Sequence, residues 1–335
     1  MTADHPSSVP RRAARDSTWT VVLAAGEGTR LKSLTTDTRG RAVPKQFCSL
    51  YGETSLLQDA LRRAHGLVDR SKVCAIVAAQ HREWWGGALW ALPAPNVIVQ
   101  PANRGTAIGI LLAALAVLAR DPFARIVFLP SDHYVRDEPR LATALARLTV
   151  QLELGHEPLV LLGIAPEEAD PELGYVVPGA MRFGAHAVER FVEKPSVETA
   201  RRLLADGALW NRFIFAAHGP SLLALFHRHL PAVVDSMETA LARDAARPEA
   251  AGAALREFYE TLPSVDFSRH ILAGSAAKLR VVAAPACGWS DLGTPRRVGE
   301  ALRRTGQQRP AARRAGPCHV PVNLAAAWAE PAIAG

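Results

Sequence analysis

The chain has 335 residues, 49% of them hydrophobic and 21% charged, with a formal net charge of +7. That length buries one large core or two smaller ones, and no apolar run reaches the roughly 18 residues of a helical membrane span. The positive charge does not point to nucleic acid: residues 296–335 hold seven arginines against Glu300 and Glu330, residues 1–18 hold three against Asp4 and Asp16, and the body carries no basic stripe interleaved with aromatics.

The opening "MTADHPSSVPRRAARDSTW" has arginines but no apolar stretch behind them, so no secretory leader is expected and the protein is read as cytoplasmic. Residues 1–17 are expected to be a mobile segment. Strand-like runs follow at "TVVLAA" (20–25), "VCAIVAA" (73–79), "NVIVQ" (96–100), "RIVFLP" (125–130) and "PLVLLGI" (158–164). Helical patterns separate them over 55–68, 81–92, 105–120 and 138–154. Continuous apolar strands alternating with helices of ten or more residues predict a doubly wound α/β fold: a mostly parallel central sheet with helices on both faces. After about residue 165 the rhythm changes. "GYVVPG", "HAVERFVEK" and "LWNRFIFAA" (209–217) read as strands, a helical stretch runs from Pro220 to about Thr261, and "KLRVVAAP" (278–285) is a last strand. This half is expected to extend the sheet and build a smaller lobe. From residue 299 a basic, mobile tail is expected.

Cys48, Cys74, Cys287 and Cys318 lie far apart, without C-x-x-C spacing, and read as reduced, mostly buried thiols. Lysine usage says more. Against 34 arginines there are five lysines, and two of them sit inside "PKQF" (Lys45) and "VEKPS" (Lys194). A compact ammonium differs chemically from a planar guanidinium, so those places point to a need for it.

Ligands of open parallel sheets bind beyond the carboxyl ends of the strands, which directs attention to loops 26–34, 100–106 and 130–135. "GEGTRLKS" fails both the P-loop and the dinucleotide patterns, because Leu31 stands where a glycine is required. What remains is a turn whose glycines let backbone N–H groups approach an anion, with Arg30 as a forked donor; a plain strand-to-helix turn fits this loop as well. Asp132 in "LPSDHY" suits either a helix cap or a magnesium ligand, and Asp291 in "GWSDLGTP" is a second carboxylate in a loop with no evident helix to cap. Glu193 and Lys194 are adjacent at a strand end, and Asn211 can meet sugar hydroxyls or serve the strand itself.

Taken in order, "LAAGEGTRL", "PKQF", "QPANRGTA", "LPSDHY", "GY", "FVEKP", "WN" and "GWSDLGTP" resemble the sugar-1-phosphate nucleotidyltransferases, most closely the mannose-1-phosphate guanylyltransferases. The resemblance spans about residues 18–298, a nucleotide-binding half (18–164) and a sugar-binding half (165–298). It implies transfer of a guanylyl group from GTP to mannose-1-phosphate, giving GDP-mannose and pyrophosphate. By resemblance, Leu23, Ala25, Gly26, Gly28, Thr29 and Arg30 hold the nucleotide, with Gln100, Gly105 and Thr106 along the base. Lys45 and Arg30 take phosphate oxygens, Asp132 and Asp291 bind Mg²⁺, and Gly174, Glu193, Lys194 and Asn211 hold the sugar phosphate. The implied partners are these small molecules, with no nucleic acid or membrane, and a homodimer is compatible with the family.

Three departures stand out. Arg212 and Phe213 follow "WN" where relatives have a small residue and glycine, "TTDTRGRAV" is long, and "VDFSRHIL" lacks an acidic residue usual at its end. They leave room for another hexose-1-phosphate or base, or for a silent nucleotide-sugar-binding regulator. Nothing after residue 298 resembles a fused isomerase or a hexapeptide-repeat helix, so a single activity is expected.

Overall fold

The run from Thr18 to Ala24 forms strand β1, whose successive side chains enter opposite faces of one sheet: Val21 joins one apolar cluster and Val22 another. Both faces of this strand are buried from Trp19 to Val22, which is why its sequence is an apolar run rather than an alternation. The computed structural model describes residues 17–37, 39–51, 53–154 and 159–304.

The other strands are β2 (Val73–Ala78), β3 (Val97–Gln100), β4 (Arg125–Pro130), β5 (Tyr134–Val135), β6 (Leu159–Ile164), β7 (Gly174–Arg182), β8 (Ala185–Glu193), β9 (Leu209–His218), β10 (Leu279–Ala284) and β11 (Trp289–Ser290). Nine of them form one sheet in the order β3-β2-β1-β4-β9-β6-β10-β8-β7. The β3-β2-β1-β4 half is parallel, as is the β6–β10 pair. β9 runs antiparallel between β4 and β6, and β8 antiparallel between β10 and β7. The first half therefore has the expected parallel pairing, and the second half mixes both kinds.

The helices are α1 (Leu56–His65), α2 (Arg82–Ala88), α3 (Thr106–Leu118), α4 (Glu138–Leu154), α5 (Val197–Ala205), α6 (Gly219–His229), α7 (Pro231–Ala246), α8 (Ala253–Thr261) and α9 (Pro295–Arg304). α1, α2, α4 and α9 pack one face of the sheet. α3, α6, α7 and α8 pack the other. α5 closes a small third cluster on Tyr175 and Trp210.

Several elements differ from the sequence expectation. The helical stretch after Pro220 is three helices, broken where Pro231 supplies no N–H and where Gly252 turns to φ +77°. α9 carries the chain through residue 299, so the expected tail does not start there: Val298, Ala301 and Leu302 are buried in the core. The rest of that tail, Cys318 and the N-terminal segment up to residue 16 lie outside the described residues. Cys48, Cys74 and Cys287 are buried and unpaired, and burial pushes the Cys48 thiol up to about 12. Among the described residues no helix is long and apolar enough to cross a membrane.

Candidate active site

The loop leaving β1 is shaped by one close approach. Gly28 adopts φ +62°, and a Cβ there would stand 2.7 Å from the backbone nitrogen of Lys45. Only glycine lets "PKQF" lie against the loop. The buried turn Lys45–Phe47 then fastens it: the Gln46 amide donates to Ala24 O at 3.2 Å and Gly26 O at 2.8 Å. Leu23 O accepts from Ser131 N at 3.1 Å, joining this strand end to the Asp132 loop. Glu27 is held by Gln80 at 2.9 Å and by His81 at 3.3 Å. Gly26 has open space around it, and Ala25 is half-buried. Arg30 is mostly exposed, with Nη2 3.9 Å from Asp291 Oδ2. The Thr29 side chain lies outside the described residues.

Lys45 is the hinge between the two candidate aspartates. Its Nζ lies 3.0 Å from Asp132 Oδ2 and donates to the backbone oxygen of Asp291 at 2.5 Å. The two-residue pairing of β11 with β5, Trp289 opposite Val135 and Ser290 opposite Tyr134, brings the loops together from 159 positions apart in the chain. The Asp132 side chain is 41% exposed, so the burial that acts to raise its pKa is partial; Lys45 and His133 outweigh it and hold the carboxyl at about 2. The Trp289 indole donates to His133 Nδ1 at 3.1 Å, which leaves the imidazole proton on Nε2, 3.7 Å from Asp132 Oδ1. Burial lowers the His133 pKa to about 4, so this ring is neutral near pH 7.

Asp291 meets opposing influences. Burial acts to raise its pKa, but Arg297, the Gly293 N–H, Lys45 and Arg212 bring it below the usual range. Arg297 reaches Asp291 Oδ1 at 3.0 Å and Glu168 at 2.9 Å, and also binds Asp170. Asp291 Oδ2 is buried without a hydrogen-bond partner among the described residues. An orphaned carboxylate oxygen beside a second, accessible carboxylate fits a hard divalent cation that keeps water and phosphate oxygens as its remaining ligands. Among the described residues the only group of three or more side chains with metal-ligand spacing is elsewhere, the exposed His227, Asp235 and Glu238.

The loop expected along the base is tied down by "VDFSRHIL". Gly105, at φ +84°, presses on Val265, whose oxygen would be 2.3 Å from a Cβ at that position. Thr106 Oγ1 accepts from Phe267 N at 2.8 Å. Gln100 is 1% exposed and its side chain turns to α3, where a Cβ on Gly109 would lie 3.3 Å from Oε1. Its side chain is thus packed beneath the loop rather than presented on it.

A second group of predicted residues converges by register. Gly174 in β7 pairs with Glu193 of β8 and with Asn211 of β9. Glu193 Oε2 would be 2.5 Å from a Cβ at 174, so the glycine makes room for the carboxylate. Burial, reinforced by Asp266, raises the Glu193 pKa to about 7 against Lys194 and Arg269. Asn211 Nδ2 donates to Ser268 Oγ at 3.4 Å. Lys194 is exposed at φ +47°.

Sequence reasoning missed Gln46, His133, Ser268 and Arg297. Gln46 stood inside the quoted "PKQF" and His133 inside "LPSDHY", so proximity to the motif was a usable signal. Arg297 stood at the very end of the expected sugar-binding half, counted only among the basic residues of the C-terminal end. Arg212 was noticed only as a departure; it is buried, which lowers its pKa to about 9, and it stacks on Trp210 and Trp289.

A family model described as Nucleotidyl transferase matches residues 19–308. The chain is 34% identical over 223 residues to the xanthan biosynthesis protein XanB of Xanthomonas campestris pv. campestris (strain B100), covering 66% of this chain and 46% of the relative. It is 33% identical over 239 residues to a mannose-1-phosphate guanylyltransferase of Escherichia coli (strain K12), covering 68% of this chain and 48% of the relative. The chain thus spans about half the length of these curated relatives. Among solved structures it resembles a Thermus thermophilus protein named mannose-1-phosphate geranyltransferase, with TM-score 0.72 and 30% identity over 88% of this chain and 80% of that one. With a single family model running from β1 through α9, the chain belongs to the nucleotidyl transferase family.

Proposed function

We propose that the protein transfers a guanylyl group from GTP to mannose-1-phosphate, giving GDP-mannose and pyrophosphate. The carrying observation is the meeting of Lys45, Asp132 and Asp291 over the Gly28 turn. The relatives named mannose-1-phosphate guanylyltransferase, and XanB in xanthan biosynthesis, support the choice of substrates.

In this reading the sheet is doubly wound, with the nucleotide half at 18–164 and the sugar half at 165–298. A phosphate oxygen of mannose-1-phosphate forms a bond to the α-phosphorus of GTP as the bond to pyrophosphate breaks. That oxygen is already anionic, so no side chain needs to remove a proton. The protein's task is to hold two anions in line and to neutralise the charge that gathers there. The 26–30 loop offers backbone N–H groups to the triphosphate, and exposed Arg30 swings onto its oxygens. Lys45, fixed in place by Asp132 and the Asp291 carbonyl, stands at the α-phosphate. Asp132 and Asp291 would hold Mg²⁺, which when bound polarises the α-phosphate. Glu193 and Asn211 receive the hexose hydroxyls beside Gly174, and Lys194 takes the sugar phosphate. A second reading, the same transfer with another hexose-1-phosphate, draws on Arg212 and Phe213, whose bulge lies directly after Asn211.

The test is pyrophosphate release with four nucleoside triphosphates against several hexose-1-phosphates. Fastest turnover with GTP and mannose-1-phosphate is expected. Turnover confined to another pair would replace the substrates. No release with any pair, alongside tight GDP-mannose binding, would replace the transferase with a silent regulator.

A further inference from the structure

Arg212 occupies a place in β9 where the register against β6 shifts and Phe213 turns to φ +59°. The residue is 3% exposed, and its guanidinium carbon lies 4.0 Å from the Trp210 ring centre and 3.7 Å from that of Trp289. A planar cation fills the slot between two indoles in a way that a tetrahedral ammonium does not. Its Nε and Nη1 are buried and lack hydrogen-bond partners among the described residues. A buried cation held mainly by rings is costly, so its presence calls for an account beyond packing.

Trp289 supplies one. Its indole fixes His133, the neighbour of Asp132, at 3.1 Å, and its ring meets that imidazole edge-on at 4.8 Å. Its backbone pairs with Val135, and Asp291 follows two residues later. Whatever holds the Trp289 ring therefore holds both carboxylate loops. Arg212 does so from the strand that also carries Asn211. We infer that Arg212 is a positioning residue: by filling the slot between Trp210 and Trp289 it sets the separation of Asp132 and Asp291, and it links the strand bearing Asn211 to their two loops. The inference rests on the proposed reading of those aspartates as a divalent-cation pair.

The test compares wild type with Arg212→Met, Arg212→Lys and Asp132→Asn. Mn²⁺, which shares the oxygen-ligand preference of Mg²⁺, is titrated into each protein alone and followed by electron paramagnetic resonance, with melting temperatures measured in parallel. Arg212→Met is expected to weaken Mn²⁺ about tenfold or more, the scale for residues that orient metal ligands. Its melting temperature should stay level or rise, because an apolar chain replaces a buried cation. Arg212→Lys should fail to restore Mn²⁺ affinity. A melting temperature that falls in Arg212→Met while Mn²⁺ affinity stays at the wild-type value would reduce Arg212 to ordinary packing and overturn the inference. Wild-type affinity in Arg212→Lys would overturn the slot-filling argument. If Asp132→Asn also binds Mn²⁺ like wild type, the aspartate reading itself falls and the inference with it; if only Asp132→Asn loses affinity, the inference alone is overturned.

Discussion

Replacing Gly28 by alanine tests the loop that the whole site leans on. The residue has φ +62°, a left-handed conformation that costs an L-residue about 1–2 kcal/mol. The added methyl carbon would stand 2.7 Å from Lys45 N and 3.3 Å from Lys45 Cβ, against an ordinary contact of about 3.4–4 Å. The nearest atom is backbone, so the Lys45 segment must move by about 0.7 Å or the loop must open by as much. Overpacking of this kind costs about 1–3 kcal/mol, for a total of roughly 2–5 kcal/mol. The same displacement carries Lys45 away from Asp132, where the contact is 3.0 Å. Misplacement on the order of 1 Å in a catalytic constellation lowers turnover by about a hundredfold. Gly26→Ala is the control, since nothing lies within 4 Å of its would-be Cβ. Thermal denaturation and pyrophosphate release should therefore separate the two variants. Gly28→Ala loses stability and kcat together, whereas Gly26→Ala keeps its melting temperature and loses affinity for GTP. Equal melting temperatures for Gly28→Ala and wild type, with equal kcat, would refute the close-approach argument.

Three further outcomes follow from the same geometry. Glu193 is protonated up to about pH 7 in the folded protein, against an ordinary value of 4.5, so the folded state binds the extra proton between those values. The Glu193 contribution to stability is then full below about pH 4.5 and declines as pH rises towards 7, and Glu193→Gln should flatten the slope in that window in urea titrations. The KM for sugar phosphate should fall as Glu193 ionises into a hydroxyl acceptor, and a pH-independent KM would count against its place in the pocket. Arg297→Met leaves Asp170 and Asp291 buried without their partner and should cost about 3 kcal/mol in chemical denaturation; a loss under about 1 kcal/mol would mean the network is not what holds α9 to the loop. Gln46→Met removes donors from Ala24 O and Gly26 O and should lower kcat/KM for GTP about tenfold, at about 1–1.5 kcal/mol for the lost bonds; unchanged kcat/KM would free the loop from Gln46.

The parallel half of the sheet was legible because strands buried on both faces must be written as unbroken apolar runs, and "TVVLAA", "VCAIVAA" and "RIVFLP" are such runs. Lys45 stood out because a chain rich in arginine used an ammonium there. The antiparallel insertion of β9 between β4 and β6 left no local mark, since pairing direction depends on the path of distant segments. The β5–β11 bridge is two residues on each side, too short for any periodicity, yet it is what joins Asp132 to Asp291. α9 was hidden because its arginines were counted only as part of a basic chain end, and the expected tail cut across it at residue 299; Arg297 within it faces three carboxylates. Gln100 was placed along the base by resemblance, but a side chain at a strand end can take either face, and this one turned to the core.

The most direct measurement is pyrophosphate release from GTP and mannose-1-phosphate with Mg²⁺ by wild type, Asp132→Asn and Asp291→Asn. If the two carboxylates act together beside Lys45, wild type turns over and each variant falls by on the order of a hundredfold or more. Undiminished turnover in either variant at saturating Mg²⁺ would contradict a shared site.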